Sequence, residues 1–331
     1  MKKLLFLLAI VLTFSCHQKK NNELEDFENT KLLGAVFGTS YSIIYDSKVN
    51  YKKQIDSLFK EFNNSLSTYQ NNSLISKINK NEDSIVDHYF IRVFNASLKI
   101  NKATKGAFDP TIGIVVNAWD FGPESRIEDL NSLKIDSLMQ YVGLHKINLV
   151  DKIISKPKGT FLDFNAIAKG YGVDVIAEFL EAEQINNYLV EIGGEIRVKG
   201  KNIEKNAPWK VGIEEPHFDG SKSVLKAITL IDKAMATSGT YRKFKIDNQG
   251  NRYSHIIDTK TGYPSKTNLL SITVLADDCM TADAYATAFK AMGIDKVKSF
   301  LKLHPEFSAF LIFENKNNQF ETIALNGFPE D

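Results

Sequence analysis

A succession of short β-branched and aromatic runs, separated by glycine or polar residues, fills the second half of the chain. Tyr188 to Lys199, Trp209 to Ile213, Leu225 to Ile231, His255 to Asp258 and Ser271 to Leu275 read as strands. Phe307 to Phe313 and Phe320 to Leu325 read as a hairpin about Lys316-Asn317-Asn318. Helical spacing occurs between and before them. Ile55, Leu58, Phe59, Phe62 and Leu66 share one helix face, as do Ile91, Phe94 and Leu98, with Gly106 as a stop. A helix over about Val173 to Ala182 carries Ile176, Phe179 and Leu180, and a last helix over Thr281 to Met292 ends at Gly293. Leu32 to Tyr45 reads as a strand broken at Gly38. Strands clustered among helices predict an α+β fold with a largely antiparallel sheet.

No internal repeat or second linker is visible, so residues 31–326 read as one folded unit within the 331-residue chain. Apolar residues at 43% and charged residues at 24% are globular proportions, and Lys plus Arg (41) nearly cancels Asp plus Glu (40). Without a basic excess, bulk binding to nucleic acid is excluded as a main role. Two cysteines exclude a disulfide scaffold and a Cys-rich metal site. No G-x-G-x-x-G, P-loop, G-x-S-x-G or H-E-x-x-H pattern occurs, so a nucleotide would be held by another geometry.

Residues 1–15 read as an export signal: Met1-Lys2-Lys3, an apolar run from Leu4 to Phe14, then Ser15. The run is shorter than the roughly 20 residues that span a bilayer. Cys16 stands where a bacterial lipoprotein carries its lipidated cysteine, although Thr13 holds the place three residues before it that is usually Leu. A cleaved signal with an incidental cysteine is the alternative. Residues 16–30 are polar and suit a tether. The expected location is therefore outside the cell's inner compartment, lipid-anchored to a bacterial membrane and facing the periplasm or the exterior.

Six segments could carry chemistry. Asp109-Pro110 has the form of an N-cap followed by proline in the first turn of a helix, either structural or facing a polar ligand with free N–H groups. Asp163 to Gly172 joins a short strand to a helix, and its glycines with Lys169 would suit either a tight connection or a pyrophosphate. Gly193-Gly194 interrupts a strand, as a bulge or a close backbone approach. Ala236 to Tyr241 and Ser254 to Asp258 are polar clusters near strand ends, the second containing His255. Asp283 and Thr287, four apart, present two hard oxygens on one helix face; they suit Mg²⁺, or merely complement the helix itself.

In order and company these segments resemble the ApbE-like family, the FAD:protein FMN transferases. The likeness runs through Phe37-Gly38-Thr39, Leu66 to Tyr69, Gly106 to Gly122, Leu162 to Asp174, Ile192-Gly193-Gly194, Trp209 to Ile213, Ala236 to Tyr241, Ser254 to Pro264 and Asp283 to Ala288. The resemblance implies a T-fold-like core, FAD as substrate, Mg²⁺ as cofactor, and transfer of FMN to a Ser or Thr hydroxyl with release of AMP. It implies as acceptor a flavoprotein subunit of a membrane redox complex. Phe37, Tyr69, Ala107, Phe108, Asp109, Asp163, Lys169 and Ile257 match flavin-nucleotide positions, and Ala166, Asp283, Ala286 and Thr287 match the metal site. Phe37 replaces a frequent Met, and Thr259 a usual Pro. His255 is the candidate base, with Asp109 or Asp163 as substitutes, and Asp283 is expected to serve the chemistry through the metal. An FAD pyrophosphatase and a non-catalytic FAD-binding lipoprotein are the rival readings.

Overall fold

The computed structural model describes residues 29–241, 244–246 and 252–329. The expected signal, Cys16 and nearly all of the tether lie outside the described residues. The chain runs through β1 (Thr30–Val36), β2 (Thr39–Tyr45), α1 (Lys52–Leu66), α2 (Leu74–Lys80), α3 (His88–Ala103), α4 (Gly113–Ala118) and α5 (Ser132–Met139). A 3₁₀ turn at Leu144–Lys146 leads to β3 (Asn148–Val150), β4 (Ile153–Ser155), α6 (Ala168–Ala182), β5 (Tyr188–Ile192), β6 (Glu195–Lys199) and β7 (Lys201–Asn202). Then come β8 (Ala207–Glu214), β9 (Val224–Leu230), β10 (Ala234–Gly239), β11 (Phe244–Ile246), β12 (Arg252–Ser254) and β13 (Leu269–Ala276). The last elements are α7 (Cys279–Met292), α8 (Ile294–Leu301), β14 (Ser308–Glu314) and β15 (Phe320–Leu325).

One sheet of eight strands organises the molecule, in the order β1-β2-β5-β6-β10-β13-β14-β15. Its neighbours pair antiparallel throughout, so the α+β expectation holds. Helices α1, α3, α6 and α7 bury their apolar stripes on one face. The small β7-β8-β9 sheet covers the other, where Trp209, Ile213 and Ile228 meet Met235, Leu275 and Phe310. Strand β13 is therefore buried along its whole length, on both faces. Its Thr273 satisfies its hydroxyl with that of Thr237 on β10, at 2.9 Å.

Several local expectations change. The break at Gly38 is a chain reversal: Phe37 and Gly38, both at positive φ (51° and 73°), form the two-residue turn of the β1–β2 hairpin. Phe37 holds that strained conformation with its ring 5.6 Å from Phe59 and 5.2 Å from Phe62. Gly193-Gly194 is likewise the β5–β6 hairpin turn, not a bulge, with Ile192 paired to Glu195. Asp109 caps no helix, because α4 begins at Gly113; instead it closes a tight turn onto Thr111. His255 to Asp258 forms no strand, only an isolated bridge from Ile257 to Pro264. Helix α6 starts at Ala168, five residues early, so Gly170 and Gly172 are helical. Their role is packing: a Cβ on Gly170 would lie 2.2 Å from the Cys279 carbonyl oxygen, and one on Gly172 would lie 2.6 Å from the Phe37 ring.

Candidate active site

The close approach of α6 and α7 builds the floor of the site. With no side chain at Gly170, its backbone N–H reaches Asp283 Oδ2 at 2.9 Å. Gly170 stands in the first turn of α6, where N–H groups find no partner within their own helix, and Asp283 supplies one from α7. The Ala166 carbonyl, just ahead of that helix, has no protein donor among the described residues. One turn along α7, the Thr287 hydroxyl makes no bond back to its own helix among the described residues, and Thr287 lines the same cavity as Asp283 and Ala166.

The β5–β6 hairpin supplies the wall. Its turn places Glu195, only 3% exposed, against Lys169, with Oε2 accepting from Nζ at 2.7 Å. Burial pushes the Glu195 carboxyl up to about 8, with Asp283 adding to the rise and Lys169 opposing it. Asp283 is raised by the same burial, against the pull of Lys169 and the Gly170 N–H. Burial would strip Lys169 of its proton, but Glu195 and Asp283 outweigh it and hold the ammonium charged. Two buried carboxyl groups, both raised by desolvation, thus share one ammonium.

The roof comes from two loops tied together. Asp109 Oδ1 accepts from the Thr111 N–H (2.9 Å) and hydroxyl (2.6 Å), and Oδ2 accepts from the Leu144 N–H (3.1 Å). The Asp163 N–H bonds to the Pro110 carbonyl (2.8 Å). Thr259 donates its hydroxyl to the Gly106 carbonyl at 2.5 Å, which gives this threonine a structural task. His255 is half-buried, with its ring edge-on to Phe121 at 6.2 Å.

These parts enclose a cavity of roughly 520 Å³, within the range for small-molecule and cofactor sites. Ala107, Phe108, Asp109, Asp163, Ala166, Lys169, His255, Ile257, Asp283 and Thr287 all line it. Three expected residues do not. Phe37 packs behind Gly172, Tyr69 stands 62% exposed near enough to Asp163 to feel its charge, and Ala286 is buried in the core. Sequence reasoning missed Glu195 as a site residue, together with Glu191, Glu214 and Met235 on the cavity wall. Glu195 follows the glycine pair directly, and recognising that pair as a hairpin turn would have aimed it inward.

The donors fit a hard divalent cation. Among the described residues no three His, Cys, Asp or Glu side chains gather as a metal cluster. A cation here would rest on one carboxylate, Asp283, with the free Ala166 carbonyl and the Thr287 hydroxyl. Mg²⁺ is commonly held this way, with few protein oxygens and the remainder from water and phosphate.

The model described as the ApbE family matches residues 37–311. The FAD:protein FMN transferase of Vibrio cholerae is 39% identical over 281 residues, covering 81% of this chain and 83% of the relative. That of Haemophilus influenzae is 37% identical and covers 100% of this chain and 98% of its own length. The solved flavin transferase ApbE from Vibrio cholerae superposes with a TM-score of 0.81 at 34% identity, over 90% of this chain and 97% of that one. The flavinyl transferase ApbE of Pseudomonas stutzeri, solved in its apo form, gives 0.80 at 26% identity over 90% and 95%. Fold and site together define an enzyme of the flavin transferase class. The chain belongs to the ApbE family.

Proposed function

We propose that the enzyme takes FAD and, with Mg²⁺, transfers its FMN half to a Ser or Thr hydroxyl of an acceptor protein, releasing AMP. The observation that carries this is the meeting of Asp283, Thr287, Lys169 and Ala166 in one cavity. When bound, the cation would neutralise the diphosphate oxygens and stabilise charge on the departing AMP. Lys169, held charged between two carboxylates, adds a second positive contact for the diphosphate. The acceptor oxygen bonds to the phosphorus that carries riboflavin, the bond from that phosphorus to the AMP oxygen breaks, and His255 takes the hydroxyl proton. Asp109 is a poorer base, because both its oxygens already accept hydrogen bonds.

The acceptor class we infer is the flavin-bearing subunit of a membrane redox complex. The Met1-to-Cys16 segment supports export and lipid anchoring on a bacterial membrane, so the enzyme would meet its acceptor at the membrane surface. Among the described residues no helix is long and apolar enough to cross a membrane. Fatty-acid labelling of the full chain, lost in Cys16→Ala, tests the anchor. The test of the reaction is mass spectrometry of an acceptor carrying an Asp-Gly-x-Ser/Thr-Gly-Ala segment after incubation with enzyme, FAD and Mg²⁺. Acceptor gaining the mass of FMN supports transfer; free FMN with unmodified acceptor would establish the pyrophosphatase instead, and intact FAD a binding protein.

A further inference from the structure

Helices α6 and α7 exchange caps. Asp283 of α7 accepts the Gly170 N–H in the first turn of α6. Reciprocally, Asp174 of α6 accepts the first two N–H groups of α7, Cys279 to Oδ1 at 2.9 Å and Met280 to Oδ2 at 2.8 Å. The spacing is the same on both sides: each aspartate lies four residues, about one turn, beyond the residue whose backbone its helix presents to the other. The exchange is possible because Gly170 lets the Cys279 backbone come into contact.

Asp174 is fully buried, and Arg197 of β6 donates to its Oδ1 at 2.9 Å. Arg197 lies two residues from Glu195 on the same strand and also reaches Glu181 at 3.3 Å. A single carboxylate thereby fastens together the three elements that carry Lys169, Glu195 and the Asp283–Thr287 pair. An aspartate at the head of α7 would suffice for ordinary capping, and Asp278 already fills that place by accepting the Thr281 N–H at 2.8 Å. Asp174 adds what a local cap cannot, a fixed position of α7 against α6.

We propose that Asp174 is a positioning residue for the flavin-transfer site: by holding the first turn of α7 on α6, it sets where the Asp283 and Thr287 oxygens stand relative to Lys169 and the Ala166 carbonyl. This rests on the cation reading given above. Positional errors of about 1 Å at such a site can cost on the order of 100-fold in rate.

The experiment measures the Mg²⁺ dissociation constant by calorimetry, the Mg²⁺ concentration for half-maximal transfer, the KM for FAD and kcat, in the full-length protein and in Asp174→Asn. The two Mg²⁺ values are expected to move together. Asparagine keeps the size but offers one acceptor oxygen where two N–H groups need one each. The expected result is a folded variant whose half-activating Mg²⁺ concentration rises at least fivefold, with a smaller change in KM for FAD. Folding damage alone would lower kcat and leave the Mg²⁺ requirement in place, and a Mg²⁺ requirement within twofold of the parent overturns the proposal. If Asp174→Asn does not fold, Cys279→Pro removes just the first of the two bonds at a position where helices accept proline. It should raise the Mg²⁺ requirement in the same direction, and an unchanged requirement again overturns the proposal. Should the parent enzyme itself transfer FMN fully without divalent cation, the cation reading fails first and this inference with it.

Discussion

Lys290, outside the cavity, carries a burial cost of its own. It is buried in α7 at 1% exposure, with Thr267 Oγ1 at 3.2 Å as its hydrogen-bond partner. Burial pulls its pKa down from 10.5 to about 8. Because the folded value lies below the unfolded one, the unfolded chain binds the extra proton between pH 8 and 10.5. Stability should rise with pH across that window, and below about pH 8 the full penalty, on the order of 3 kcal/mol, is in force. Lys290→Met should raise the Tm at pH 7 and flatten the rise above pH 8; calorimetry across that range checks both. At the same scale, His255→Ala should slow single-turnover FMN transfer by roughly 10²–10⁴-fold if the imidazole takes the hydroxyl proton. An unchanged quenched-flow rate would remove His255 from that role. Neither role could be settled from residue type, since a histidine amid apolar neighbours and a lysine in a helical stripe are read only by what encloses them.

Among the elements, the long helices were legible because their apolar positions repeat at helical spacing: Ile55, Phe59 and Phe62 on α1, and Ile91, Phe94 and Leu98 on α3. The face that α3 buries is nevertheless Phe90, Val93, Phe94 and Ile100, and Leu98 is exposed. Shorter elements left no such mark. Helices α2, α4 and α5 carry too few turns to show a period, and β10 reads as a polar cluster although Ala234, Met235 and Ala236 are buried. Glycines misled for a different reason. Gly170 reads as loop equipment, yet its value is the space it leaves for another helix. Gly170→Ala would gain about 1 kcal/mol in helix propensity but push a methyl against a backbone carbonyl that cannot move aside. Overpacking of this kind costs about 1–3 kcal/mol or more, so the net change should be a lowered Tm and loss of transfer, measured by thermal melt and the acceptor assay.

Across the whole molecule, charge is nearly balanced, but the cavity is not. Asp109, Asp163, Glu191 and Glu214 line it, together with the burial-raised carboxyls of Glu195 and Asp283, and Lys169 is the amine among the described residues on its wall. A diphosphate entering such a site meets like charge, and the low-dielectric walls strengthen the repulsion. Mg²⁺ should therefore tighten FAD binding by at least tenfold, and Asp283→Ala should abolish that gain. Titration of flavin fluorescence with and without EDTA measures it; equal affinities would separate binding from the cation.

The residues alone determine the α+β class, the antiparallel preference and the individual pieces of the site, because periodicity, turn chemistry and residue type act over a few neighbouring positions. Tertiary structure decides which pieces meet. Glu195, Lys169 and Asp283 lie on β6, α6 and α7, far apart in the chain, and their shifted acidities arise only from shared burial. The same holds for Asp174 and the head of α7, and for Asp283, which caps the first turn of α6 from a distant helix. Desolvation and close contact are properties of the assembled core, and no local pattern encodes them.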